Sequence, residues 1–240
     1  YIIGKGILDN IRVDIWLILF QNPCAFNETL YTYYLNQLPH IDFTKIDNND
    51  SPIIHTITKA KHYFINEITS SSINPIVFMN KTFQIVSVFL LHRPDIPFKK
   101  CLVYYTMMFL LNNIEQDYKA FISLISLCSQ SYIMPFIIND INFITRRVEF
   151  FETLLKHKVN DVYTRLKAFE LTPEFYLIKW FEMMFIKCFS YNNVKRMWDL
   201  VLLKGESVLF KIAYAIVYVH KKDILCGTYW EMLLTLQKVN

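Results

Sequence analysis

The chain has 240 residues, of which 53% are apolar, 19% are charged and four are glycine, and its formal net charge is +4. A composition this apolar and this poor in glycine excludes a disordered chain and predicts one large folded domain. The excess of positive charge is small and is spread along the sequence without a long run of like charges. We therefore expect no nucleic-acid partner and no basic patch for a membrane surface.

Several kinds of site are disfavoured by the pattern of residues. The five cysteines are odd in number, far apart and never in a C-x-x-C pair, which predicts neither a disulfide framework nor a metal site and fits the reducing cytoplasm. The six histidines show no close ligand spacing, and no phosphate-binding glycine loop occurs, so no cofactor is expected. No apolar run reaches the roughly 20 residues that a membrane-spanning helix needs.

The first predicted helix contains an R-x-x-x-W pattern formed by Arg12 and Trp16 in GILDNIRVDIWLILF. Ile11, Ile15 and Leu19 recur at helical spacing beside this pair and predict an apolar face. Arg12 and Trp16 are one turn apart on such a helix, and we interpret them as a packing pair rather than as catalytic residues.

Two loops and one ambiguous segment follow in the first half. Residues 48–52 and 69–75 are rich in Asn, Ser and Asp and end in proline, which is typical of turns. Residues 76–91 carry many β-branched side chains and could form a strand, but the helical context favours a helix. A change of lobe is predicted near residues 112–117.

The second half reads as a chain of short helices between residues 143 and 220. Thr172, followed by proline and glutamate, is predicted to start an aromatic helix that runs to about Phe189. Asn192 or Asn193 is expected to cap the next helix, and Gly205 to end it in a left-handed conformation. Large aromatic residues at helical spacing predict a core, and Asp199 is expected to pair with Arg196 or with a neighbouring helix. The core-forming motif residues are Trp180, Arg196, Trp198 and Asp199.

The order of these motifs resembles the TBC domain, the helical module of Rab-type GTPase-activating proteins. Four motifs follow one another in the order found in that family: the early R-x-x-x-W, a central R-P-D-I, then K-W-F and R-M-W-D. The resemblance implies an all-α fold of two packed lobes, residues 1–115 and 116–240. It also implies a Rab-type small GTPase or another protein as partner, so that GTP and Mg²⁺ would arrive only with that GTPase.

The family inserts an arginine from an I-x-x-D-x-x-R-T segment into the active site of the GTPase. The matching stretch here is KIDNNDSPIIHTITKA, with Ile46, then Asp47 or Asp50, and with His55 where arginine is expected. No arginine occurs between Arg12 and Arg93. Histidine is shorter than arginine and lacks the five-donor fork that grips phosphate oxygens.

The family also inserts a glutamine from a Y-x-Q-G segment, and the matching stretch here is HRPDIPFKKC. Phe98 replaces the tyrosine, Lys100 the glutamine and Cys101 the glycine. Lysine has donors but no acceptor, so it cannot accept a hydrogen bond from the attacking water as glutamine does. Lys99 and Phe98 would lie beside Lys100 on a partner-binding surface, and Arg93 is an outside candidate for a supplied arginine.

These replacements predict a catalytically degenerate adaptor or scaffold that binds a GTPase without accelerating hydrolysis. Two alternatives stay open: an active GTPase activator that uses a non-standard arginine, and a structural subunit of a larger assembly. If the chain is such an adaptor, we expect a cytoplasmic protein that reaches membranes only peripherally, through its partners. No residue is assigned a covalent catalytic role.

Overall fold

The computed structural model describes residues 6–20, 26–43, 51–112 and 114–237. Within these ranges every regular element is helical and no strand occurs, so the predicted all-α class is confirmed. The chain divides into two compact units, Tyr1–Gln130 and Ser131–Asn240. The division falls after Gln130 rather than after residue 115, because the helix Asp117–Cys128 packs against three helices of the first unit.

The first unit contains seven helices among the described residues. They are α1 (Asp9–Phe20), α2 (Glu28–Leu35), α3 (Pro52–Tyr63), α4 (Ile65–Ser70), α5 (Pro75–His92), α6 (Lys100–Asn112) and α7 (Asp117–Cys128). Helix α5 packs against α2, α3, α6 and α7, while α1 packs against α6 and α7. The core of the unit therefore lies around α5 and α6, and ten consecutive residues of α6 are buried.

The β-branched segment 76–91 forms α5, as favoured from its helical context. Asn74 caps this helix through its side-chain oxygen, which accepts from the amides of Ile76 and Val77, and Pro75 occupies its first position. The predicted loop at 69–75 is shorter than expected, because Ser70 still belongs to α4. Side-chain capping and a proline at the first position override the strand preference of the sequence.

Helix α5 is also the one helix in the described part of the chain that could cross a membrane by length and composition, with a mean hydropathy of 1.2 over 18 residues. Sequence reasoning did not single it out. It packs against four neighbouring helices, and Lys81 Nζ donates to the carbonyl of Ile114 at 2.7 Å. These contacts give α5 the surroundings of a core helix of the first unit.

The second unit contains eight α-helices and two short 3₁₀ turns among the described residues. The α-helices are α8 (Met134–Ile137), α9 (Ile141–Lys158), α10 (Asn160–Ala168), α11 (Leu177–Glu182), α12 (Tyr191–Lys204), α13 (Ser207–Val219), α14 (Lys221–Cys226) and α15 (Tyr229–Gln237). Helix α11 contacts α8, α9 and α13, which places its aromatic residues in the core.

The predicted continuous helix from Thr172 to Phe189 is wrong. A 3₁₀ turn (Pro173–Phe175), α11 and a second 3₁₀ turn (Ile186–Cys188) occupy this stretch instead. Met184 and Phe185 adopt left-handed conformations, with φ of 43° and 59°, and the chain bends there. Tertiary packing of the aromatic side chains outweighs helix propensity, since Trp180, Met184 and Phe185 are all buried.

The predicted ends of α12 differ in detail from the observed ones. The helix starts one residue before Asn192, and Ser190 occupies the capping position. Gly205 has a positive φ of 72°, as expected, but its ψ of −162° lies outside the left-handed helical region. That combination of angles is nearly restricted to glycine, which explains why glycine ends this helix.

The hydroxyl of Tyr176 is buried, and no described residue offers it a hydrogen bond. Burial also raises the pKa of this phenol, because the charged form would lose its hydration. Since an unsatisfied buried hydroxyl costs about 1–3 kcal/mol, Tyr176→Phe is expected to raise the free energy of unfolding by about 1 kcal/mol. Urea denaturation measures the change.

Tyr31→Phe provides the matched control for this substitution. Tyr31 is also buried, but its hydroxyl donates to Asp117 Oδ2 at 3.2 Å. Removing that hydroxyl leaves the carboxylate short of a donor and is expected to lower the free energy of unfolding by about 1–2 kcal/mol. A loss of stability in Tyr176→Phe of the same size would show that its hydroxyl has a partner after all.

Candidate functional site

The R-x-x-x-W pair lies in the core of the first unit. Trp16 is fully buried, and its ring meets Phe109 of α6 edge to face at 5.9 Å. Arg12 is also buried; its guanidinium donates to the carbonyl of Ile7 and pairs with Asp9. Trp16 therefore joins α1 to α6, and Arg12 ties α1 to Ile7 just before it, which agrees with a packing role for the pair.

The C-terminal motif residues are likewise part of a core, that of the second unit. Trp180 Nε1 donates to the carbonyl of Leu236 and Trp198 Nε1 to that of Met184, both at 3.1 Å. Arg196 Nη1 lies 3.9 Å from Asp199 Oδ2, and the Asp199 side chain is fully buried. The two indole hydrogen bonds tie α11 to α15 and α12 to the bend at Met184, whereas Arg196 and Asp199 pair within α12. The contacts of these four residues fit a structural role.

The segment that would carry the glutamine links α5 to α6. Ile96 is buried and anchors this link, and its amide donates to the carbonyl of Arg93 at 3.0 Å. Phe98 and Lys99 are half-buried, whereas Lys100, the first residue of α6, is exposed. Cys101, the next residue, is buried. Lys100 thus presents an exposed ammonium group at the start of α6.

Arg93 has a strong partner within the same link. Its Nε and Nη2 donate to the two carboxylate oxygens of Asp95 at 2.9 and 2.7 Å. These hydrogen bonds hold the pKa of Asp95 below its usual value. Two parallel charge-assisted bonds fix the plane of the guanidinium against Asp95.

The segment that would carry the arginine begins α3. Ser51 Oγ accepts from the amide of Ile54 at 3.4 Å and Pro52 occupies the first position, which fixes where this helix starts. His55 is exposed on the first turn, while the neighbouring Thr56 is buried and donates to the carbonyl of Pro52 at 2.7 Å. The expected Ile46, Asp47 and Asp50 lie outside the described residues.

Helices α3 and α6 pack together, and their ring contacts involve the last residues of α3. The ring centroids of Tyr63 and Tyr104 are 6.1 Å apart, and the ring centroid of Phe64 lies at the same distance from that of Tyr104. Tyr104 stands one turn after Lys100. His55 precedes Tyr63 by eight residues, about 12 Å along a helix. The structure therefore does not bring His55 to these contacts.

His62, to which the sequence assigned no role, lies in the last turn of α3 next to Tyr63 and is exposed. The region offers ammonium and imidazole groups that can attract an anionic surface, and among the described residues no cluster could hold a metal ion.

A model of the Rab-GTPase-TBC domain matches residues 9–225 of the chain. TBC1 domain family member 12 of Mus musculus is 21% identical over 232 residues, which cover 92% of this chain and 33% of that protein. TBC1 domain family member whacked of Drosophila melanogaster is 24% identical over 251 residues, covering 97% of this chain and 62% of that protein. The chain therefore spans about a third of the length of the first relative and less than two thirds of the second.

A solved structure, the Chlamydomonas flagellar RabGAP TBC domain, superposes with a TM-score of 0.75 at 14% identity. The superposition covers 98% of this chain and 76% of that one. At this identity the likeness concerns the fold, and it extends over both units of the chain.

Proposed function

The chain belongs to the family of Rab-GTPase-TBC domains, and from this premise we propose that it binds a Rab-type small GTPase without accelerating GTP hydrolysis. It would act as an adaptor or scaffold that recognises the GTPase. GTP and Mg²⁺ would reach the complex only on the GTPase, in the cytoplasm or at a membrane that the partner occupies.

The observation that carries this proposal is Lys100 at the start of α6. Acceleration in this family, as the resemblance implies, requires a glutamine that positions the attacking water. The ammonium of Lys100 is exposed and can approach a partner, but it has three donors and no acceptor. A lysine at this position can therefore support charge attraction without orienting the water.

The arginine side of the site supports the same conclusion. No arginine occurs between Arg12 and Arg93; the first is buried and the second is held by Asp95. The exposed basic side chains on α3 are His55, Lys59 and His62, and none of them is an arginine. Since an arginine finger contributes roughly 10³–10⁵ to the rate of hydrolysis, its replacement by imidazole predicts the loss of nearly all of that acceleration.

The test is single-turnover GTP hydrolysis by a panel of Rab GTPases, with and without a saturating concentration of the 240-residue chain. A binding measurement accompanies it for each GTPase. We expect at least one GTPase to bind and its hydrolysis rate to stay within about twofold of the intrinsic value, because neither inserted group is present. A rise of roughly 10²-fold with any GTPase would overturn the degenerate reading.

Matched variants separate recognition from catalysis. Lys100→Glu is expected to weaken GTPase binding, whereas Lys204→Glu, an exposed lysine in the second unit, is expected to leave it unchanged. If acceleration were found and Arg93→Ala abolished it, the chain would be an activator that uses a non-standard arginine. If no GTPase bound, the binding proposal would fail and a structural role in an assembly would be favoured.

A further inference from the structure

A groove with a volume of about 680 Å³ lies between α9 and α13, wholly within the second unit. Its floor is apolar and aromatic. Phe150 and Phe210 meet edge to face at 4.8 Å, and Leu154 and Tyr214 continue the floor along the two helices. Phe150 is 55% exposed. This is a high exposure for a large aromatic side chain on a surface that binds no partner.

The rim of this groove is cationic. Arg147 is paired with Glu206 through two hydrogen bonds of 2.9 and 3.2 Å, and its guanidinium lies 3.1 Å above the ring of Phe143. The other three cations of the rim are Arg146, Lys158 and Lys211, all exposed. Within the described part of the chain, none of these three has a carboxylate at ion-pair distance, and Glu206 is the only acidic residue that lines the groove.

The dimensions of the groove define the shape of its occupant. The lining residues of α9 run from Arg146 to Lys158, about 18 Å along the helix axis, which equals roughly three turns of a second helix. The groove is open to solvent along this length, so an occupant keeps one face in water. A helix with one apolar stripe and one polar face has this property, and recognition of such helices in apolar grooves is a recurring mode of binding.

We propose that the groove between α9 and α13 binds an acidic amphipathic helix of a partner protein. The apolar stripe of that helix covers Phe150, Leu154 and Phe210, and its carboxylates meet Arg146, Lys158 and Lys211. The positive rim selects acidic over basic helices, because a like-charged helix would be repelled at the same positions. The groove belongs to the second unit and involves none of the residues discussed above for GTPase recognition.

The experiment uses three labelled peptides of about 16 residues and the 240-residue chain, with binding followed by fluorescence anisotropy. The first peptide has leucines on one helical stripe and glutamates on both sides of it. In the second, lysines replace the glutamates; the third has the composition of the first with its leucines spread around the helix. We expect the first peptide to bind at least about tenfold more tightly than either of the others.

Variants of the chain test the groove itself. Lys158→Glu and Lys211→Glu are each expected to weaken binding of the acidic peptide about 3–10-fold, with a smaller effect at high salt. Lys156→Glu is the matched control, because Lys156 is exposed on the same helix but does not line the groove. Phe150→Ser is expected to weaken binding at least about tenfold, and its exposed position predicts little effect on the melting temperature.

Three outcomes would overturn the proposal. Equal affinity for the acidic and basic peptides would indicate non-specific hydrophobic binding without a contribution from the charged rim. Unchanged binding in Lys158→Glu and Lys211→Glu would place the peptide elsewhere. Concentration-dependent self-association that disappears in Phe150→Ser, with no peptide bound, would identify a second copy of the chain as the occupant.

Discussion

Trp198→Ala is expected to lower the free energy of unfolding by about 3–5 kcal/mol. The side chain of Trp198 is buried and fills the contact between α12 and the bend at Met184. Its removal leaves a cavity and also deprives the Met184 carbonyl of its indole donor. Urea denaturation, followed by circular dichroism at 222 nm, measures the loss.

Trp230→Ala controls for the change of residue type. Trp230 is 69% exposed on α15, so truncation removes little buried surface, and we expect a change of at most about 0.5 kcal/mol. Comparable losses in the two variants would mean that burial at Trp198 does not determine the stability of this unit. A Trp198→Phe variant, which keeps most of the volume and removes the Nε1 donor, separates the cavity from the hydrogen bond.

Trp16→Ala is the corresponding prediction for the first unit, with an expected loss of about 3–5 kcal/mol in the free energy of unfolding. The indole of Trp16 is fully buried and meets Phe109, whose ring also lies edge to face with Phe20 at 6.1 Å. Truncation of the tryptophan therefore opens the contact between α1 and α6. Hydrogen exchange checks the location, since amides of α1 should lose protection first.

Ile18→Ala is the matched control within the same helix. Ile18 is 69% exposed and stands two residues after Trp16, so it points to another side of α1. Alanine is the better helix former, and we expect a change within about 0.5 kcal/mol. If Trp16→Ala were as mild as this control, the R-x-x-x-W motif would need an explanation other than packing.

The all-α class is predicted from helical periodicity together with the resemblance to the TBC domain. The segments 48–52 and 69–75 are predicted as loops, and the structure adds that Ser51 with Pro52 and Asn74 with Pro75 end these segments by starting helices. The bend at Met184 could not be predicted in this way, since its left-handed backbone is sustained by Trp198 from another helix. The division after Gln130 likewise depends on the packing of α7, which periodicity does not reveal.

The candidate site was predictable in its chemistry more than in its geometry. The sequence alone shows that position 100 carries an ammonium group and no acceptor. The structure adds that this side chain is exposed. The Arg93–Asp95 pair was not foreseen, although the two residues are only two positions apart. The ring contacts between α3 and α6 occur at the end of α3 away from His55, which the spacing of the motif does not indicate.

The bend at Met184 and Phe185 has a consequence for the order of folding in the second unit. A nascent helix that starts at α11 cannot grow through two left-handed residues, each of which costs about 1–3 kcal/mol. The hydrogen bond that satisfies the Met184 carbonyl comes from a residue 14 positions later. The aromatic segment should therefore acquire its native path only when α12 docks. Replacing the side chain of Met184 or Phe185 by a smaller one should then mainly accelerate unfolding and leave the refolding rate almost unchanged.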